Sequence, residues 1–209
     1  MRLLDLHFTS TFIIVYLFIA VIISVVFFIK HRENRNYWLL VRNYAIAFYF
    51  FLLFKVTVLP FAILTKSELE EFLIDFSIDS LSYTQWQPFY TISRCLVSAS
   101  GIVQLTGNII LLVPLVIILR WLIKKRCSYR KITIISFLSS IAIEAMQYLI
   151  NVITVVPWHS TDVDDFILNG VGILLCCAMC LFIEKRFSKP IKNIRAVLGF
   201  GEEMNKKCD

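Results

Sequence analysis

Three catalytic signatures are missing from this chain. It has no HExxH, no GxSxG and no GxxxxGKS/T. The zinc pair of a helix-borne metalloprotease, the nucleophile elbow of a hydrolase and the phosphate-cradling P-loop are therefore not written into it. It has no internal repeat and no low-complexity tract. Without an inverted repeat, a self-contained transporter of the usual kind is disfavoured. No small-residue cleavage site follows the first apolar run, which ends in Lys30-His31-Arg32. That run is also too long for a signal-peptide core, so it reads as a retained span.

What the chain does have is apolar length. Of its 209 residues 58% are hydrophobic, with a mean hydropathy of +0.76, against ~45–50% apolar in a soluble domain. The excess sits in five runs of bilayer-crossing length, Phe8–Ile29, Tyr44–Leu64, Gly107–Ile123, Ile132–Val156 and Val163–Ile183. Most of the basic residues fall between the first two runs, beyond the third, and after the fifth. These segments share one side of a five-span chain, and the excess of Lys and Arg places that side in the cytoplasm. The N-terminus is then outside and the C-terminus inside. Glu68, Glu70, Glu71, Asp75 and Asp79 stand on the opposite side. The net charge of +6 reports this topology and not nucleic-acid binding. The expectation is an all-α integral membrane protein, a bundle of about five transmembrane helices with an amphipathic helix at the outer interface.

The six cysteines form no disulfide framework on this topology. Cys95 alone is expected outside, Cys127 and Cys208 are cytoplasmic, and Cys176, Cys177 and Cys180 lie within the last run. Cys177-x-x-Cys180 resembles half of a zinc or redox motif but has no second half, and reads as packing residues.

Thr65–Thr106 is a long connection for a structureless loop. Within it Leu69, Phe72, Leu73 and Phe76 recur at helical spacing, opposite Glu68, Glu71 and Asp75. Such a helix lies at the outer interface or caps the bundle. The aromatic stretch Trp86–Ile92 follows, with a proline turn, and reads equally as an interfacial anchor or as the lining of a site.

Ionisable groups at membrane depth are scarce here, and each costs at least ~2.5–3.5 kcal/mol on insertion scales. Ser140, Glu144, Gln147 and Asn151 share one face of the fourth run. A polar stripe on such a helix must face protein or a water-filled cavity. Interhelical hydrogen bonding alone accounts for Ser140 and Asn151, but less readily for Glu144. Lys55 and Glu144 fall at similar depth and are expected to pair or share a site, unless burial keeps Glu144 protonated. Asn108 stands in the first turn of the third run, and Pro114 is expected to kink it midway. Asp165, Asn169 and Gly172 share a face of the fifth run. Acids at a helix N-terminus are favoured by ~0.3–1 kcal/mol, and Thr161-x-x-Asp164 resembles a capping pair. Capping explains one of Asp162, Asp164 and Asp165 but not all three together with Asn169.

At these residues the chain resembles the VanZ-like membrane family. The resemblance lies in "GNIILLVP" (107–114), "SIAIEAMQ" (140–147) and "DVDDFILNGVG" (162–172), with "QPF" (87–89) as a weaker block. The sequence departs from the family pattern at His159, where Arg is usual, at Leu112, where Phe is usual, and at Val116, where Gly is usual. An arginine would be a permanent cation, whereas histidine titrates near neutral pH. The implied organisation is two N-terminal transmembrane helices (1–65), an extracellular interfacial segment (66–106), a VanZ-like core with three transmembrane helices (86–183) and a cytoplasmic basic tail (184–209).

The resemblance implies resistance to teicoplanin and other lipoglycopeptides, without alteration of the D-Ala-D-Ala terminus, in Gram-positive bacteria. No reaction comes with it. The expected binding pocket is Asn108, Glu144, Gln147, Asp162, Asp165 and Asn169. Lys55, Pro114, Ser140, Asn151, His159, Asp164 and Gly172 are expected to support it. The expected partners are the bilayer, a lipid-linked cell-wall precursor or lipoglycopeptide, and a second copy of the chain; no cofactor is expected. The competing reading is a Mg²⁺-dependent enzyme acting on a lipid phosphate or glycolipid, with Asp162, Asp164 and Asp165 as ligands and His159 or Glu144 as base. No second ligand block supports it. A flippase working as a dimer is a third reading, and an assembly partner whose polar stripe is only an interface is a fourth.

Overall fold

A computed structural model describes residues 2–30, 37–59, 61, 64–75, 84–122 and 128–187. Phe76, Asp79, Cys127, Cys208 and the basic stretches within 31–36, 123–127 and 188–209 lie outside the described residues. The chain forms two compact units, Met1–Leu53 with Glu184–Asp209, and Phe54–Ile183.

The first unit is built on α1 (Arg2–Lys30) and most of α2 (Tyr37–Thr57). Tyr16 packs on Phe48 and Phe51, with centroids 5.5 and 5.3 Å apart, and Ser24 Oγ meets Tyr44 Oη. These pairs run in opposite senses along the chain, so the two helices form an antiparallel hairpin.

The second unit holds α3 (Lys66–Asp75), β1 (Thr84–Gln85), α4 (Tyr90–Cys95), α5 (Ala99–Leu111), α6 (Val113–Leu122), α7 (Tyr129–Thr154), β2 (Thr161–Asp162) and most of α8 (Val163–Arg186). Helix starts follow local chemistry. The Ser98 hydroxyl accepts the Gly101 N–H at 3.1 Å and the Ser128 hydroxyl accepts the Arg130 N–H at 3.2 Å, satisfying orphan donors of α5 and α7. Glu68 reaches back to Thr65 at the start of α3, one half of a capping box. Glu68 Oε2 accepts the Thr65 N–H at 2.8 Å and its hydroxyl at 2.7 Å.

Pro114 breaks the third apolar stretch as expected. The interruption falls at Leu112, with φ −99° and ψ 0°, because the proline ring crowds the preceding turn and supplies no N–H. Two boundaries differ from the hydropathy reading. The third span starts at Ala99 and not Gly107, because Ser98 supplies the cap. The second runs over Tyr37–Thr57 and not Tyr44–Leu64. Lys55 therefore stands in the last turn of α2 and not at mid-helix, and its side chain is exposed.

Among the described residues four helical stretches are long and apolar enough to cross a bilayer: Tyr37–Thr57, Ala99–Leu122, Tyr129–Thr154 and Val163–Arg186. Ile13–Ile29 is a shorter apolar stretch within α1. The architecture is the expected all-α, membrane type, and among the described residues the one sheet is a two-residue parallel pairing of β1 with β2.

Inside the second unit, α7 runs antiparallel to α8 and α5–α6 runs parallel to it. Glu144 meets Asp162 and Thr133 meets Cys177 across α7 and α8. Asn108 meets Asp165 and Val113 meets Cys176 across α5–α6 and α8. Leu112, Val116, Ile132 and Ile173 fill the space between these helices. Leu138, Leu149, Ile153 and Phe182 point outward, as lipid-facing residues do when the solvent is as apolar as the side chain. Small residues permit the closest approach. A Cβ on Gly172 would collide with the Ile109 carbonyl oxygen, so only glycine lets α8 touch the α5 backbone. Cys176 and Cys177 are buried free thiols, with Cys177 Sγ 3.4 Å from Thr133 Oγ1.

Candidate functional site

The three acids of the α8 entrance take three different partners. Asp162 caps α8: its Oδ1 accepts the Asp164 N–H at 2.9 Å. The Thr161/Asp164 capping pair expected from the sequence does not form, since Thr161 Oγ1 is buried without a hydrogen-bond partner. Asp164 is 0% exposed and reaches the turn before α4. Its Oδ1 accepts the Phe89 N–H at 2.6 Å and its Oδ2 the Ile92 N–H at 3.1 Å. Phe89 is the residue before α4, in the left-handed region (φ 66°), and its side chain offers no acceptor. Asp164 thus supplies from another helix the acceptors that an N-terminal cap normally supplies within its own. Asp165 accepts a hydrogen bond from Asn108 Nδ2.

Glu144 closes the layer from α7, with its Oε2 accepting the Asp162 N–H at 3.2 Å. Lys55, expected beside it, is exposed near the end of α2, and the hydrogen bond at Glu144 goes to the Asp162 backbone. Gln147, one turn further, donates from Nε2 to the Thr57 carbonyl at 3.0 Å. That bond fixes the amide orientation and leaves Oε1 buried without a partner. Asn151 clamps the α7–α8 connection. Its Oδ1 accepts the His159 N–H at 3.1 Å, and its Nδ2 donates to the His159 carbonyl. The His159 ring Nε2 donates in turn to the Val58 carbonyl at 3.1 Å. Just before this connection, Val155 ends α7 at φ 58°, a strained conformation for a β-branched residue.

Below the carboxyl layer the stripes continue. Ser140 precedes Glu144 by one turn on α7, and Asn169 follows Asp165 by one turn on α8. Ser140 Oγ and Asn169 Oδ1 are both buried and have no hydrogen-bond partner. An orphaned acceptor costs about 1–3 kcal/mol, so one on each polar stripe marks a place where packing alone does not explain the residues.

The layer is also recessed. From Glu144 to Thr154 α7 continues for about 15 Å, and from Asn108 back to Ala99 α5 continues for about 14 Å, at ~1.5 Å per residue. Ile102, Val103, Leu149 and Ile153 on these extensions are exposed. The acids therefore lie at the depth of apolar surface rather than at its rim. Part of the rim is built by α3, whose Phe72 stacks on Trp158, with centroids 6.4 Å apart. The pairing of Thr84 and Gln85 with Thr161 and Asp162 ties the aromatic segment to the acids.

The VanZ/LLP1 family model matches residues 12–184. The chain belongs to the VanZ/LLP1 family. No curated protein and no solved structure matches it. The match and the apolar helices make it a multi-pass membrane protein. Within this VanZ-family chain, the three blocks that carry the resemblance meet through Asn108–Asp165 and Glu144–Asp162, and the weaker block around Phe89 joins them through Asp164.

As for a metal, Asp162, Asp164 and Asp165 diverge toward the Asp164 amide, the α4 amides and Asn108. Among the described residues no three His, Cys, Asp or Glu side chains group as ligands. The capping of α4 by Asp164 and the clamping of His159 by Asn151 escape sequence reasoning, because both are side-chain contacts to backbone. The Thr65–Glu68 contact has an explicit signal in the sequence, Thr-x-x-Glu before an apolar pattern.

Proposed function

We propose that this VanZ-family protein protects the cell envelope and contributes to teicoplanin and lipoglycopeptide resistance. Its recessed polar layer engages the headgroup of a lipid-linked precursor or a lipopeptide from the outer leaflet. The basic residues after α1, α6 and α8 support an orientation with the N-terminus outside and the C-terminus in the cytoplasm. On that orientation the Glu144–Asp162 layer opens outward. The single observation that carries the reading is the pair of buried, unpartnered polar atoms, Ser140 Oγ and Asn169 Oδ1, on stripes that lead to Glu144 and Asp165. Helix packing does not supply these two groups with partners, which supports a ligand there. The bilayer-depth position explains why a ligand with a lipid chain is favoured over a free soluble one. The engagement of Asp162 and Asp164 with backbone amides and of Asp165 with Asn108 supports binding as the mode of action.

The test is expression in a sensitive host with membrane abundance verified. Teicoplanin tolerance rises more than vancomycin tolerance. No shift at verified abundance refutes the proposal.

A further inference from the structure

The recessed layer has a chemical bias. Its acceptors outnumber its donors: the carboxyl oxygens of Glu144, Asp162 and Asp165 and the unpartnered Gln147 Oε1 and Asn169 Oδ1 stand against the Thr161 and Ser140 hydroxyls, which donate or accept. The Asn108 amide donates into it and is consumed by Asp165. The Asp162 N–H is consumed by Glu144 and the Asp164 N–H by Asp162. These three donors are spent on the layer's own acids, while the Thr161 hydroxyl and Asn169 Oδ1, on a residue 1% exposed, are left over. Ser140 Oγ, on a residue 0% exposed one turn from Glu144 on α7, is also unpartnered and can accept as well as donate.

We infer that the site selects a protonated amine, an ammonium headgroup with several N–H donors, and rejects a bare phosphate. An ammonium carries three donors and no acceptor, which complements a layer of surplus oxygens. A phosphate brings acceptors and negative charge, which the carboxyl groups repel. The inference rests on the headgroup-binding reading above and narrows it to a chemical class. The amine can sit on a lipid or on a soluble molecule. The exposed apolar extensions of α5 and α7 provide lateral contact with lipid chains in the first case.

The experiment uses the purified full chain in detergent micelles and measures bound lipid by native mass spectrometry. The probes are phosphatidylethanolamine, its N-acetylated form and phosphatidylglycerol, with glycerophosphoethanolamine as the same headgroup without chains. Phosphatidylethanolamine is retained about tenfold better than the other two lipids, the scale of losing charge-assisted hydrogen bonds. Glu144→Gln keeps an acceptor for the Asp162 N–H, and Asp165→Asn keeps an acceptor oxygen and an amide able to pair with Asn108. Each abolishes the preference while the thermal midpoint is held. If Glu144→Gln fails to fold, Asp165→Asn and Asn169→Leu carry the test.

Displacement of phosphatidylethanolamine by glycerophosphoethanolamine at equal concentration supports the amine chemistry and assigns a soluble source; failure to displace supports it and assigns a lipid. Equal retention of all three lipids, lost together in the variants, overturns the amine inference and leaves the headgroup reading standing. A preference for phosphatidylethanolamine that survives both charge-removing substitutions overturns the assignment of the amine to this layer. Retention of no lipid overturns both.

Discussion

Asp164 and Phe89 are joined by a 2.6 Å hydrogen bond from the Phe89 N–H to the Asp164 carboxylate, which also holds Ile92. One buried acid of α8 thereby starts a helix on the far side of a long connection. Asp164→Ala leaves two amides without an acceptor, and hydrogen bonds to charged groups are worth about 1.5–3 kcal/mol each. The substitution is expected to destabilise the second unit by roughly 2–4 kcal/mol and to raise hydrogen exchange at Phe89–Ile92 selectively. Asp164→Asn, which keeps one acceptor oxygen, loses about half as much. Unfolding in mixed micelles with amide exchange checks both.

Two glycines of the family blocks behave oppositely. A Cβ at Gly172 strikes the Ile109 carbonyl, whereas a Cβ at Gly107 meets nothing within 4 Å. Gly172→Ala is expected to push α8 from α5 and cost about 1–3 kcal/mol. Gly107→Ala stabilises by up to ~1 kcal/mol through helix propensity. Thermal midpoints of the two variants, compared side by side, distinguish them.

Much of this architecture is legible in the sequence, because a bilayer converts length and hydropathy into spans. The polar face from Ser140 to Asn151 and the Asp165–Asn169 face follow from helical spacing alone, and Pro114 announces the break at Leu112. The partners of those faces do not follow. Periodicity gives the direction of a side chain but not its neighbour, and Asp164, Asn151 and Gln147 all bond to backbone atoms that any residue would supply. Phe89 and Val155 adopt left-handed conformations without a glycine to signal them. The β1–β2 pairing is too short to leave an alternating pattern. Helix starts shift where a cap outranks hydropathy, as at Ser98.

The His159 ring donates to the Val58 carbonyl. Arginine can make the same donation. His159→Arg is therefore expected to retain the thermal midpoint, while His159→Phe loses about 1 kcal/mol, one neutral hydrogen bond. Similar losses for Arg and Phe would show that the donation does not hold this connection.

The α3 cap is pH-dependent. The Thr65 backbone N–H, then its hydroxyl, hold the Glu68 carboxyl below its ordinary value. A depressed folded-state value means that the stabilisation is present above the unfolded value and is lost as pH falls through the folded one. Amide exchange across Lys66–Asp75 is expected to accelerate selectively, beyond the intrinsic pH trend, on acidification through the glutamate range. Glu68→Gln removes this carboxyl-specific step.

The most direct measurement is teicoplanin tolerance in cells expressing Glu144→Gln and Asp165→Asn at membrane abundance equal to the unsubstituted chain. Binding by the recessed layer predicts that tolerance falls to the level of cells without the protein, while abundance and thermal midpoint hold. Full tolerance in both variants at equal abundance would contradict it.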